Sequence, residues 1–305
     1  MLKYMKKILL ILIIGLFLYS CEKEEDQPKI YTSLGEMLKD IDEECAYQIY
    51  LKDSVDLKMW IDTLNNVSNE LNKYLIALHE TNHIINARCS GITSKIWFNT
   101  TGSIYGNGVS YNFNPNYKFI LFSFGNELNT NINLESKINN VGIIDEQLPK
   151  ENLPKFTNYD IYVTNDPPFI TLLEEWNGYM LQDRFFLNYN IKYKKSSNSV
   201  DKLDGQSVCF MLYIQCYLKS SRLNYTESYN QIKSNPNLID LIQFIWSKNE
   251  EIFMNSFDVI DFNKFYFEHI YSDKFLQELD SLGIQHQDMK DWKNTYLSKK
   301  YPYDI

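Results

Sequence analysis

Residues His79-Glu80-Thr81-Asn82-His83 place two imidazoles four positions apart with a carboxylate directly after the first. On a helix, side chains at i and i+4 project from one face about a turn apart, so both rings can reach a single metal ion. The intervening glutamate lies beside them and can address a water activated by that ion. The chemistry implied is hydrolysis by a zinc-activated water, with Glu80 as general base. The chain has only 4 His, two of which are spent here. By chance the pattern arises in on the order of one chain per hundred of this length. The bland alternative is two solvated or core histidines with no metal between them.

The element that must position these groups is a helix. From Ile30 to about Arg88 the apolar spacing is helical, with Leu71, Tyr74, Leu75 and Leu78 in register just ahead of the motif. Between Lys73 and Arg88 the one formally charged residue is Glu80, and Tyr74, Leu75, Ile76, Leu78, Ile84 and Ile85 surround the helix. That marks an interior helix. A buried, unpaired carboxylate costs on the order of several kcal/mol, and a bound cation would offset it.

On these residues the sequence resembles the zincin metallopeptidases. The metzincin branch needs Gly and His where this chain has Asn86 and Cys89, so that branch is excluded. The gluzincin branch takes its third ligand as a glutamate from a downstream helix, and Leu172-Leu173-Glu174-Glu175-Trp176-Asn177-Gly178-Tyr179 is similar to that helix, small residues allowing close approach. With residues at 100° intervals, Leu172, Leu173, Trp176, Tyr179 and Met180 define one apolar face. Glu175 borders that face and Glu174 points nearly opposite. The expected zinc ligands are therefore His79, His83 and Glu175, with Glu174 as the alternative third ligand. A solvated first turn, favoured by the helix dipole, would explain the two acids equally. Tyr162, Tyr179, His269 and His286 are all able to donate to an oxyanion, with Tyr179 as the candidate, although His269 reads more simply as a helix-face histidine. The resemblance spans about a tenth of the chain. It implies a zincin-like catalytic domain, bound Zn2+ and a peptide or protein substrate.

The amino terminus reads as a targeting segment. Lys3, Lys6 and Lys7 precede an eleven-residue apolar run, Ile8 to Leu18, which suits a signal peptide over residues 1–20 and is short for a membrane span. Leu18-Tyr19-Ser20-Cys21 resembles a bacterial lipobox, which implies lipidation at Cys21. The acidic stretch over 21–29 then reads as a tether, similar to export signals that bring lipoproteins to the outward face of the outer membrane. Residues 30–305 are expected to form one domain, with a helical subdomain from about residue 200.

From Cys89 to about Gly125, glycines punctuate short β-favouring stretches, Lys95–Phe98 and Lys118–Phe124, so a small β region is expected after the motif helix. Residues 126–168 read mainly as loop, with one strand at 160–163. Helix returns at Phe169–Phe186, and Asn235-Pro236-Asn237 signals a further helix start. The fold class expected is α+β, mainly helical, without alternating strand–helix units. The formal charge is −9, and removing the first twenty residues, with three Lys and no acid, gives −9 − 3 = −12. Such an acidic chain is a poor candidate for binding nucleic acid through a broad basic patch, and no nucleic-acid partner is expected. With no heptad run, a monomer on a flexible tether is expected, touching the membrane only through its lipid. Cys45, Cys89, Cys209 and Cys216 allow three pairings, and the bland reading of the last two is a pair of buried thiols on one helix. The rival function is a surface lipoprotein on a zincin-like scaffold without activity, serving binding or assembly through its many aromatic residues.

Overall fold

A computed structural model of the chain describes residues 40–42, 70–90, 97–99, 102–106, 109–113, 120–122, 169–193, 203–256, 260–262 and 264–300. All belong to the unit Gly35–Ile305. The proposed signal peptide, Cys21, the acidic tether, Cys45, Tyr162 and the strand at 160–163 lie outside them, and for Cys89 only the backbone is described.

The described residues are mostly helical. The motif helix, α1, is Glu70–Ser90. It is followed by β1 (Trp97–Asn99), β2 (Gly102–Gly106), β3 (Val109–Phe113) and β4 (Ile120–Phe122). β1 pairs antiparallel with β4, Phe98 opposite Leu121, and β2 pairs antiparallel with β3, Ile104 opposite Tyr111. The helix carrying the two acids, α2, runs Phe169–Tyr193, seven residues beyond the end expected at Phe186. Then come β5 (Leu203–Asp204), α3 (Ser207–Asn224), α4 (Thr226–Lys233), α5 (Pro236–Asn255), β6 (Ile260–Asp261), α6 (Lys264–Ile270), α7 (Asp273–Leu282) and α8 (Lys290–Lys300). β5 and β6 form a short parallel pair. Among the described residues no helix is long and apolar enough to cross a membrane.

α2 is the central element, packed against α1, α3 and α5. Its sequence explains this: Leu172, Leu173, Trp176, Leu181 and Phe185 are fully buried and distributed around more than one face. Trp176 meets Trp246 of α5 edge-on at 6.1 Å, and Phe169 stacks on Tyr217 of α3 at 4.4 Å. Each such ring contributes roughly 1.5–3 kcal/mol by leaving water. The carboxyl end of α2 is held by charge. Arg184 Nε lies 2.9 Å from Asp42 Oδ2, Asn188 Nδ2 donates to the same oxygen at 2.7 Å, and Lys192 Nζ pairs with Asp40 Oδ2 at 2.7 Å. Positions 184, 188 and 192 fall on one stripe of the helix, so a short segment can clamp all three.

α3 is preceded at its N-cap by Gln206, whose side chain makes no capping bond. The cap comes instead from α2: Asp183 Oδ2 accepts from Ser207 N at 3.2 Å and from Ser207 Oγ at 2.5 Å. This satisfies an otherwise orphaned amide and fixes the α2–α3 angle. Burial pushes the Asp183 carboxyl up to about 7 despite these bonds. α5 starts as its sequence signals, with Asn235 Oδ1 accepting from Leu238 N at 3.2 Å and Pro236 in the first turn. Cys209 and Cys216 are both free and buried in α3. Seven residues along a helix separate them by roughly 10 Å, beyond disulfide reach.

Candidate metal centre

The site forms where the carboxyl half of α1 meets the amino half of α2. On the α1 side, Leu75, Ala77, Leu78 and Thr81 are fully buried, which seats the helix and brings His79 inside with it. His79 is 6 % exposed, and His83, one turn on, has a half-buried side chain. Asn177 Nδ2 of α2 donates to Asn82 Oδ1 of α1 at 3.2 Å, and both residues are buried. That bond pins the register between the helices one residue from His83.

Three side chains converge. His79 Nε2 lies 3.1 Å from Glu175 Oε2, His83 Nε2 lies 2.9 Å from His79 Nε2, and His83 Nε2 lies 3.5 Å from Glu175 Oε1. The ligand atoms of His79, His83 and Glu175 all fall within 4.8 Å of one another. Donors about 2.0–2.1 Å from a tetrahedral ion stand roughly 3.3–3.4 Å apart, so these three could hold one ion with only small shifts. Two imidazoles and one carboxylate form a donor set that zinc and other first-row divalent metals accept.

Close helix approach is what makes the convergence possible. A Cβ at Gly178 would meet His79 Cε1 at 2.8 Å and Nδ1 at 2.9 Å. The imidazole therefore lies directly over the glycine backbone of α2, with the Tyr179 ring against its edge at 4.4 Å between centroids. His79 Nδ1 is buried and makes no hydrogen bond among the described residues. Gly178→Ala is expected to lower the melting temperature and, if the cluster holds zinc, to weaken its binding at least about tenfold, because the added Cβ would force the His79 ring to shift. At an uncrowded helical site the same change would stabilise by about 1 kcal/mol. Zinc titration and thermal unfolding of the variant decide the sign.

The expectation for Glu174 needs correction. The helical wheel turns it away from the apolar face, yet it is only 8 % exposed, and its Oε1 lies 3.2 Å from His83 Nδ1. A wheel assumes one solvent-facing side. α2 has neighbours on several sides, and α1 covers the arc that carries both acids. Glu174 does not join the three-atom cluster, since it addresses the other nitrogen of His83.

The charges are strongly coupled. Burial opposes charge on His83, but hydrogen bonds to Glu174 and Glu175 and their negative charges outweigh it, and its pKa is raised to about 10. Burial likewise opposes charge on Glu175, but hydrogen bonds from His79 and His83 hold its carboxyl down at about 2. Glu80, next to His79 on α1, is half-buried and makes no hydrogen bond to a described residue. Tyr179 is half-buried, stacked on Phe210 of α3 at 5.1 Å as well as against His79. The other histidines are engaged elsewhere: His269 Nδ1 with Phe265 O at 2.7 Å, and His286 Nε2 with Asp280 Oδ1 at 3.0 Å.

Sequence reasoning missed the partnership of Glu174 with His83 and the Asn82–Asn177 bond. Its one signal for the helix contact was the small residue Gly178 within the α2 segment. Comparison with known protein families, curated proteins and solved structures finds no match to this chain. Among the described residues, which are mostly helical, two packed helices bring together three side chains that could hold a metal ion.

Proposed function

We propose that this chain is a zinc-dependent metallopeptidase of gluzincin type, anchored through a lipid on Cys21 to the outer face of a bacterial outer membrane. The observation that supports it most is the meeting of His79, His83 and Glu175, residues from two helices about ninety positions apart, around one point. Structural histidines need no such third partner, and the spacing of His79, Glu80 and His83 is the one that metal-assisted hydrolysis demands.

In this reading His79 Nε2, His83 Nε2 and a Glu175 oxygen hold the ion. Zinc, when bound, supplies Lewis acidity and lowers the pKa of water. Glu80 takes the proton from the attacking water onto its carboxylate and returns it to the leaving amine. Glu174 and the Asn82–Asn177 bond keep the two helices and the His83 ring in place. Tyr179, beside His79, is the candidate donor to the oxyanion. The zincin-like fold, the peptide substrate and the lipid anchor all belong to this proposal.

Elemental analysis of the chain, prepared without a polyhistidine tag, tests it. One zinc per chain is expected, falling to near zero in His83→Ala. No uptake at micromolar zinc would overturn the reading and leave a binding or assembly module as the better account.

A further inference from the structure

Glu174 is the acid of the α2 pair that lies against His83 without joining the ligand cluster. Its side chain is 10 % exposed, and its Oε1 meets His83 at Nδ1, 3.2 Å away. The other nitrogen of the same ring, Nε2, faces His79 Nε2 at 2.9 Å and Glu175 Oε1 at 3.5 Å. The ring is therefore held from both edges, by one carboxylate behind and by the ligand cluster in front.

An imidazole has two nitrogens, and a neutral one carries a single N–H. Whichever nitrogen donates to an acceptor keeps the proton and leaves the other lone pair free for a metal. Carboxylates face both nitrogens of His83, Glu174 at Nδ1 and Glu175 at Nε2, and an ion seated among His79, His83 and Glu175 takes the place of the hydrogen on Nε2 alone. A carboxylate accepts and never donates when ionised, so the nitrogen beside Glu174 must carry the hydrogen. A metal placed at Nδ1 would find Glu174 there but neither His79 nor Glu175, whereas at Nε2 it finds both. We infer that Glu174 is a positioning residue: it fixes His83 as the Nδ1–H tautomer, aims Nε2 at the ion, and is not itself a ligand. This rests on the metal-centre reading above and adds to it the partner that orients one ligand. Carboxylates behind ligating histidines raise ligand basicity and restrict ring rotation, and losing one costs 10–100-fold in metal affinity.

Two neighbouring acids on α2 thus divide the labour by direction. Glu175 reaches the front of the cluster and Glu174 the back of His83. The prediction is asymmetric for two residues of identical chemistry, which makes it testable without any substrate.

The full chain and its Glu174→Ala, Glu174→Gln and Glu175→Ala variants would be titrated with zinc against a chromophoric chelator, and with cobalt(II) followed by its visible absorption. Wild type is expected to bind one ion of either metal. Glu174→Ala should still saturate at one ion per chain with a cobalt spectrum of wild-type intensity, but with zinc affinity 10–100-fold weaker. Glu174→Gln, whose side-chain carbonyl can accept the same N–H, should recover most of that loss. Glu175→Ala should fail to reach one ion per chain. The inference is overturned if Glu174→Ala binds as wild type, if it loses the metal as completely as Glu175→Ala, or if Glu174→Gln is no better than alanine. Should the alanine variant not fold, Glu174→Gln still decides: affinity within tenfold of wild type supports positioning, and any greater loss refutes it. A wild-type chain that takes up neither ion overturns the metal-centre reading and this inference with it.

Discussion

Glu80→Gln is expected to keep one zinc per chain and to lose peptide hydrolysis by a factor of at least about 10^2–10^4, the range that a positioned general base contributes. The substitution changes little in size and removes the basic carboxylate, so a loss confined to turnover isolates the proton transfer. Glu80 is not among the converging ligand atoms, which is why metal affinity should stay within a few fold of wild type. The measurement is paired: zinc content by elemental analysis, and cleavage of a mixed peptide library by mass spectrometry. Hydrolysis surviving in the variant would remove Glu80 from the role of base. Zinc loss in the variant would instead make Glu80 part of the metal's binding set.

The second large effect is on pH. In the apoprotein His83, with its pKa raised to about 10, carries a proton at neutral pH that a metal at Nε2 must displace. Glu175, held at about 2, is already ionised and adds no pH dependence there. From His83 alone, zinc affinity should rise about tenfold per pH unit, so about a hundredfold between pH 6 and pH 8, with one proton released per zinc. Competition titrations at three pH values, with calorimetry in buffers of different ionisation enthalpy, read both quantities. A flat affinity over that interval would mean that His83 meets the metal already neutral. The same pair sets the stability of the apoprotein. The His83 contribution is full below its ordinary value of 6.5 and is lost as pH rises through about 10. The Glu175 contribution is full above its ordinary value of 4.5 and is lost as pH falls through about 2. Their joint contribution is therefore greatest between those ordinary values.

These two predictions depend on different kinds of information. The role proposed for Glu80 rests on spacing alone: residues i and i+4 share a helix face, and i+1 stands beside them, whatever surrounds the helix. The pH effect could not be read in that way. It arises because α2 brings two carboxylates to opposite edges of one imidazole, a long-range contact with no local signature.

The sequence by itself determined the local grammar of this protein: the motif helix, its burial through Leu75 and Leu78, the helix carrying Glu174 and Glu175, and the start of α5 at Asn235 and Pro236. Each of these is fixed by periodicity or by a cap acting over a few residues. The helical wheel already preferred Glu175 as the acid nearer the histidines; tertiary structure alone decided that Glu174 stands behind His83. It also decided that Asp183 caps α3 and that α2 is the hub of the helices. The physical reason is that adjacent acids on a helix differ only by a rotation of 100°. That rotation acquires meaning only once another helix has come close enough for an imidazole to rest on the backbone of Gly178.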